Sequence, residues 1–221
     1  MRLRDRLRIS PARQRRLTRL MQIVLVGLLF IGLERGSTGI IVNASVALAV
    51  SYLPALLERE YDLPMDAGLT LWITSAIFLH ALGTVGLPGA SENFYRNVPW
   101  WDHLTHALSS SVVAATGYTV TRAIEEHSDA VSLPPRFMFV FILLFVLAFG
   151  VFWEVLEFAL AEIALALGTT SVLTQYGLED TLLDLVFDTI GGIIVAVWGT
   201  AHLTDITGAL TERLDERRSR S

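Results

Sequence analysis

Six apolar stretches, near residues 17–34, 38–57, 67–87, 102–124, 136–167 and 180–204, constrain this chain more than any other feature. Each is long enough to cross roughly 30 Å of hydrocarbon as a helix rising about 1.5 Å per residue. The fold expected is an all-α polytopic membrane helix bundle with about six transmembrane helices. A hydrophobic share of 52% and a mean hydropathy of +0.52 agree, since a soluble domain of 221 residues rarely reads so apolar. The connectors 58–66, 88–101, 125–135 and 168–179 are polar or carry breakers, and the paired Pro134-Pro135 lacks the N–H groups to continue a helix. No internal repeat and no soluble domain stands out. The chain divides into a basic tail at 1–16, a six-span domain at 17–206 and a charged tail at 207–221.

The arginines orient the bundle. All 17 basic residues are Arg, eight of them within residues 1–19. Six spans place both termini on one side. With the termini in the cytoplasm, fifteen arginines lie inside and only Arg35 and Arg96 outside, a strong positive-inside asymmetry. A multi-pass cell-membrane protein with cytoplasmic ends is expected. The basic start followed by an apolar run also suits a signal peptide, but no small-residue cleavage site follows it directly. It lacks aromatics to stack on bases, so no nucleic-acid partner is expected. The absence of Cys excludes disulfides, iron–sulfur clusters and thiolate metal sites, and the absence of Lys excludes Schiff-base chemistry. A lysine-free sequence with pI near 5.5 suits a salt-adapted organism. The sequon Asn43-Ala44-Ser45 lies inside an apolar stretch and is discounted.

Against this apolar background the polar groups are unevenly placed. The fourth stretch opens with Trp100-Trp101-Asp102-His103-Leu104-Thr105-His106, two interface-suited aromatics followed by an acid and two imidazoles. Asp102 and His106 are four apart and share a helix face. The expected topology puts these residues, His80, Glu154, Glu157, Asp180, Asp184 and Asp188 in the outer half of the membrane. The inner halves offer neutral groups such as Thr74, Ser75, Tyr118 and Thr119, with His202 near the exit, and 137–150 has no polar side chain at all.

An acid near the middle of a span costs roughly 2.5–3.5 kcal/mol on insertion scales, so such residues face a bundle interior or a cavity. No Arg lies deep in any span to balance them. Either close carboxylates hold protons between them, or a bound cation offsets the charge. Asp, Glu and His together form a ligand set for Zn, Mn or Fe, and carboxylates alone suit Mg or Mn. The candidate ligands are Asp102, His106, Glu154, Glu157, Asp184 and Asp188, with His103, His80 and Asp180 as weaker members. Plain structural roles also fit individual members. Asp102 and Asp180 suit helix starts, Glu154 and Glu157 suit a helix end near headgroups, and His80 suits a satisfied bundle histidine. Gly191-Gly192 fits close helix packing or space beside the site.

Asp102-x-x-x-His106, Glu154-x-x-Glu157 and Asp184-x-x-x-Asp188 followed by Gly191-Gly192 resemble the YjdF-like integral membrane proteins, and more loosely the VanZ-like ones, over about residues 66–200. The resemblance implies a small polytopic protein whose shared acids are Asp102, Glu154, Glu157, Asp184 and Asp188, with His106 beside them. It brings no reaction with it. The YjdF-like pattern has an acid three residues before Asp184, where this chain has Thr181, with Asp180 one position away.

Three functions compete. An outward-facing metal site at headgroup depth suits a hydrolase or transferase acting on a lipid or lipid-linked substrate, with a carboxylate as general base. Intramembrane acids also equip proton- or cation-coupled transporters, although the one-sided distribution leaves the inner half of a pathway unfurnished. A structural or sensory protein would use the acids only to bind a stabilising ion. The partner common to all three is the lipid bilayer.

Overall fold

The computed structural model describes residues 9–86, 92–128, 130–173, 175–199 and 203–220, so the first arginines and His202 lie outside the described residues. The helices are α1 (Pro11–Arg35), α2 (Thr38–Ser51), α3 (Leu53–Tyr61), α4 (Ala67–Gly83), the short α5 (Phe94–Asn97), α6 (Trp101–His127), α7 (Pro135–Ala166), α8 (Leu178–Ile194) and α9 (Thr204–Arg220). A π-helical turn, Val195–Gly199, extends α8. Among the described residues no strand forms, only an isolated bridge between Gly86 and Asn93. Among the described residues each expected apolar stretch is mainly helical, and the all-α bundle holds.

Local chemistry sets the boundaries. Ser10 accepts from the Arg13 N–H and Pro11 opens α1, so this helix starts well inside the expected basic tail. Gly36, at φ 60°, closes it in the left-handed region where a side chain would be strained. Asp66 caps α4 through the N–H groups of Gly68 and Leu69, at 2.7 and 2.8 Å. The second stretch, expected as one span, is interrupted by a one-residue turn at Tyr52, where Pro54 cannot donate to the helical ladder, and then continues as helix to Tyr61. Gln22 of α1 donates to the Ser51 carbonyl and hydroxyl beside that break. The residues expected as a charged C-terminal tail form α9, which packs along α6.

By length and composition Pro11–Arg35, Thr38–Tyr61 and Pro135–Ala166 are fit to cross a membrane, and Ala67–Gly83 is apolar but shorter at 17 residues. The packing inverts the habit of a soluble protein. The interior is lined by small residues such as Ala44, Ala47, Ala81, Ala114 and Ala115. Ile23, Phe30, Leu144, Phe152 and Leu165 lie on the outside. Helices in lipid gain little by hiding apolar bulk from one another, so they pack through small residues at close approach.

Two groups of helices result. The α1–α2–α4 group closes on Leu25, Leu28, Ile40 and Ala81, and the other on Ala114, Met138, Ile142, Val146 and Val195 of α6, α7 and the π turn. The contact of α4 with α6 joins them. At one end of the bundle, Asn43 Nδ2 donates to Val172 O at 2.9 Å, and the Arg96 guanidinium lies 4.5 Å from the Tyr176 ring centre. At the opposite end Arg213 pairs with Asp62 and His127 with Asp215, while Thr211 donates to Glu126 at 3.2 Å.

Candidate functional site

The polar residues of α6, α7 and α8 meet at the first of these ends. Among the described residues α6 and α8 share the most extensive contact, and Gly191 permits their close approach. A Cβ there would stand 2.3 Å from the Ala107 carbonyl oxygen and 2.2 Å from Ser110 Oγ. Of the two roles considered for Gly191-Gly192, close packing is thus the one seen at Gly191. Space beside the acids comes instead from Gly150 of α7, where a Cβ would stand 2.4 Å from Asp188 Oδ2.

His106 is the centre of the group. Its Nδ1–H donates to Asp188 Oδ1 at 3.2 Å. That bond turns Nε2 toward Asp102 Oδ1 at 3.6 Å, one helical turn earlier, and toward Asp184 Oδ2 at 3.8 Å. The last two separations exceed the 2.7–3.2 Å of an N–H···O bond. Two ligands held at about 2.1 Å by one tetrahedral ion lie roughly 3.4 Å apart, which is close to these spacings. One ligand atom from each of Asp102, His106 and Asp184 can be chosen so that all three lie within 4.8 Å of one another. Asp188 sits on the other ring nitrogen, where a carboxylate fixes the tautomer and orientation of a metal-binding histidine.

Burial makes the arrangement costly unless something balances it. Asp184 is 2% exposed, Glu154 and Asp188 are each 5% and Glu157 is 8%. Asp184 Oδ1, Glu154 Oε1 and His80 Nε2 are buried without a hydrogen-bond partner among the described residues. An unsatisfied buried polar atom carries its full desolvation penalty, and a carboxylate oxygen more than most.

The remaining expected residues stand around this core. Glu154 and Glu157 lie well inside α7 and do not end it. Glu154 Oε2 accepts from Thr181 at 2.7 Å, and Thr181 in turn accepts from Gln175 at 2.9 Å. Glu157 Oε1 accepts from Trp153 Nε1 at 3.0 Å. Asp180 takes the Tyr176 N–H at 3.2 Å, from within the first turn of α8 rather than at its cap, which is Gly177. His103 stacks on Phe187 with ring centres 4.3 Å apart. His80 Nδ1 lies 2.9 Å from the Tyr95 hydroxyl. Burial, and then the Asp102 carboxylate, hold the Tyr95 phenol protonated well above its ordinary range. Of the two tryptophans only Trp100 is exposed, whereas Trp101 is buried and donates to the Leu79 carbonyl at 3.2 Å. A cavity of about 200 Å3 opens over the group, lined among others by His80, Tyr95, Asp102, His106, Glu157 and Tyr176.

Sequence reasoning missed Gly150, Tyr95, Gln175 and Tyr176. Loop residues and a single-turn helix such as α5 have no periodicity to betray their partners, and a glycine in an apolar run gives no sign of what it faces. Thr181 did carry a signal, as the residue standing where an acid was expected.

A family model described as "Predicted membrane protein (DUF2238)" matches residues 16–205, a span that includes every residue of the site. The chain belongs to this family. It is also similar to an uncharacterized protein of Thermotoga maritima, 29% identical over 159 residues, covering 68% of this chain and 76% of the relative. No solved structure matches. The DUF2238 match establishes a membrane protein and carries no activity.

Proposed function

We propose that this DUF2238 protein, read as YjdF-like, spans the membrane six times with both termini in the cytoplasm and holds one divalent ion near its outer surface. His106 Nε2, Asp102 and Asp184 would bind the ion, and Asp188 would orient the imidazole. The observation that carries the reading is the Nε2-centred gap, too wide for hydrogen bonds and ion-sized, with the unpartnered Asp184 Oδ1 beside it. A group of this kind supplies Lewis acidity at headgroup depth, which suits a hydrolase or transferase acting on a lipid or lipid-linked substrate. Glu157 lines the same cavity and is placed to take a proton from an attacking water. Zn, Mn and Fe fit the mixed donor set better than Mg.

A second reading rests on the same imidazole. Each of its ring nitrogens faces a carboxylate, so a protonated His106 could balance the acids as a purely stabilising network. Elemental analysis of protein purified in mild detergent without added metal separates the two. The metal reading expects about one divalent ion per chain, and a chelator should lower the melting temperature by about 5–15 °C. Asp184→Asn should lose the ion and Asp180→Asn should keep it. Metal-free protein that is indifferent to chelator, with a stable Asp184→Asn variant, would leave the stabilising network instead.

A further inference from the structure

The open space does not end at the candidate ion site. Beyond His80 and His106, which line both hollows, a second one of about 150 Å3 runs down the bundle. It reaches Val113 and Val146, each seven residues and so about 10 Å below His106 and Trp153. Its sides are α4 and α7, which both rest on α6 and share no extended packing with each other among the described residues. The rings of His80 and Trp153 bridge the top edge to face at 5.7 Å. Phe149, on the lip, is 44% exposed, on the side of α7 that also exposes Phe145 and Phe152. The hollow is a cleft open sideways, on the apolar face that the bundle gives to the bilayer.

Its chemistry changes along its length. The upper end carries His106, Asp188, Ser109 and Ser110, whereas the lower end is walled by Ile77, Val113, Val146 and Phe149. The apolar lower end offers water no hydrogen-bond partners and so favours an apolar guest. At this depth the guest available in quantity is a hydrocarbon chain. The geometry points to a single-chain amphiphile as the substrate class, with its chain in the α4–α7 cleft and its polar head in the cavity over His106. The inference rests on the candidate site being where the head is processed. Asp102 and Glu157 line the head cavity, and among the described residues no arginine does. An anionic head therefore needs an ion at His106 to offset the carboxylates, while a neutral polyhydroxyl head does not.

That difference allows a test independent of the metal. The full chain in phosphatidylcholine nanodiscs is irradiated with a trace of octyl glucoside carrying a diazirine at the chain end, an octyl chain being about as long as the cleft is deep, and the labelled residues are mapped. The label should concentrate on Ile77, Val113 and Val146 and be displaced by unlabelled octyl glucoside. Ile77→Trp and Val113→Phe, which fill the cleft from different helices, should each reduce it by about tenfold, equivalent to losing the burial of about two methylenes. A label spread evenly over bilayer-facing residues such as Phe30, Phe152 and Leu165 would overturn the inference. So would cleft labelling undiminished in both variants. The same samples are assayed for metal. Cleft labelling in metal-free protein removes the ion and keeps the amphiphile, and bound ion without cleft labelling removes the amphiphile alone.

Discussion

Asp184 and Asp188 look interchangeable in the sequence, two acids one turn apart on one helix face. The fold gives them different ring nitrogens of His106. Asp184 faces the ion-sized gap, and Asp188 holds the imidazole that faces it. The two Asn variants should therefore differ. On the proposed metal reading Asp184→Asn would remove a ligand and should abolish high-affinity Mn2+ or Zn2+ binding in a calorimetric titration. Asp188→Asn keeps an acceptor for Nδ1–H and should weaken binding only about 10–100-fold. Equal losses would contradict the division of roles. The spacing of four between Asp102 and His106 was legible as a shared face. The tautomer-setting role of Asp188 was not, because it depends on the approach of α8 to α6, and a sequence does not display helix contacts.

Between α6 and α7 the chain turns at the end of the bundle away from the site, and one side chain organises the turn. Glu125 accepts the Leu133 N–H at 2.7 Å and a guanidinium N–H of Arg122 at 2.6 Å. The Leu133 N–H, and then the Arg122 guanidinium, hold its carboxyl below the usual carboxylate range. A depressed value in the folded state means stability that is fully present above the unfolded value of about 4.3 and lost as pH falls through the folded one. Glu125→Gln should therefore melt at a lower temperature than wild type at pH 7, and the gap should close on acidification. A gap that widens toward low pH would rule this account out. Pro134-Pro135 marked the turn in the sequence, but nothing marked Glu125 as its anchor, since its partner is a backbone group eight residues away. The break at Tyr52 follows from Pro54 and was open to prediction. The helicity of α9 was obscured by its charge, which reads as a solvated tail until α6 is there to pack against.

Over the whole molecule, the apolar stretches announced an all-helical bundle. The arginine distribution proposes which end faces the cytoplasm. Reporter fusions after residues 35, 62, 95, 130 and 172 should alternate outside, inside, outside, inside, outside. An external reading at 130 would place the His106 group at the wrong depth for a headgroup. The bundle is nevertheless not uniform in its relation to lipid. α7 has 32 residues, a rise of about 48 Å, against a hydrocarbon layer of roughly 30 Å. The surplus must be absorbed by tilt, by projection past the headgroups or by local thickening of the bilayer. Glu154 and Glu157 ride on this over-long helix, while Asp102 and His106 ride on α6. A thinner or thicker membrane that changes the lean of α7 would slide one pair of polar groups past the other. If α7 spans the bilayer as proposed, hydrophobic mismatch would thus couple the thickness of the host membrane to the geometry around His106.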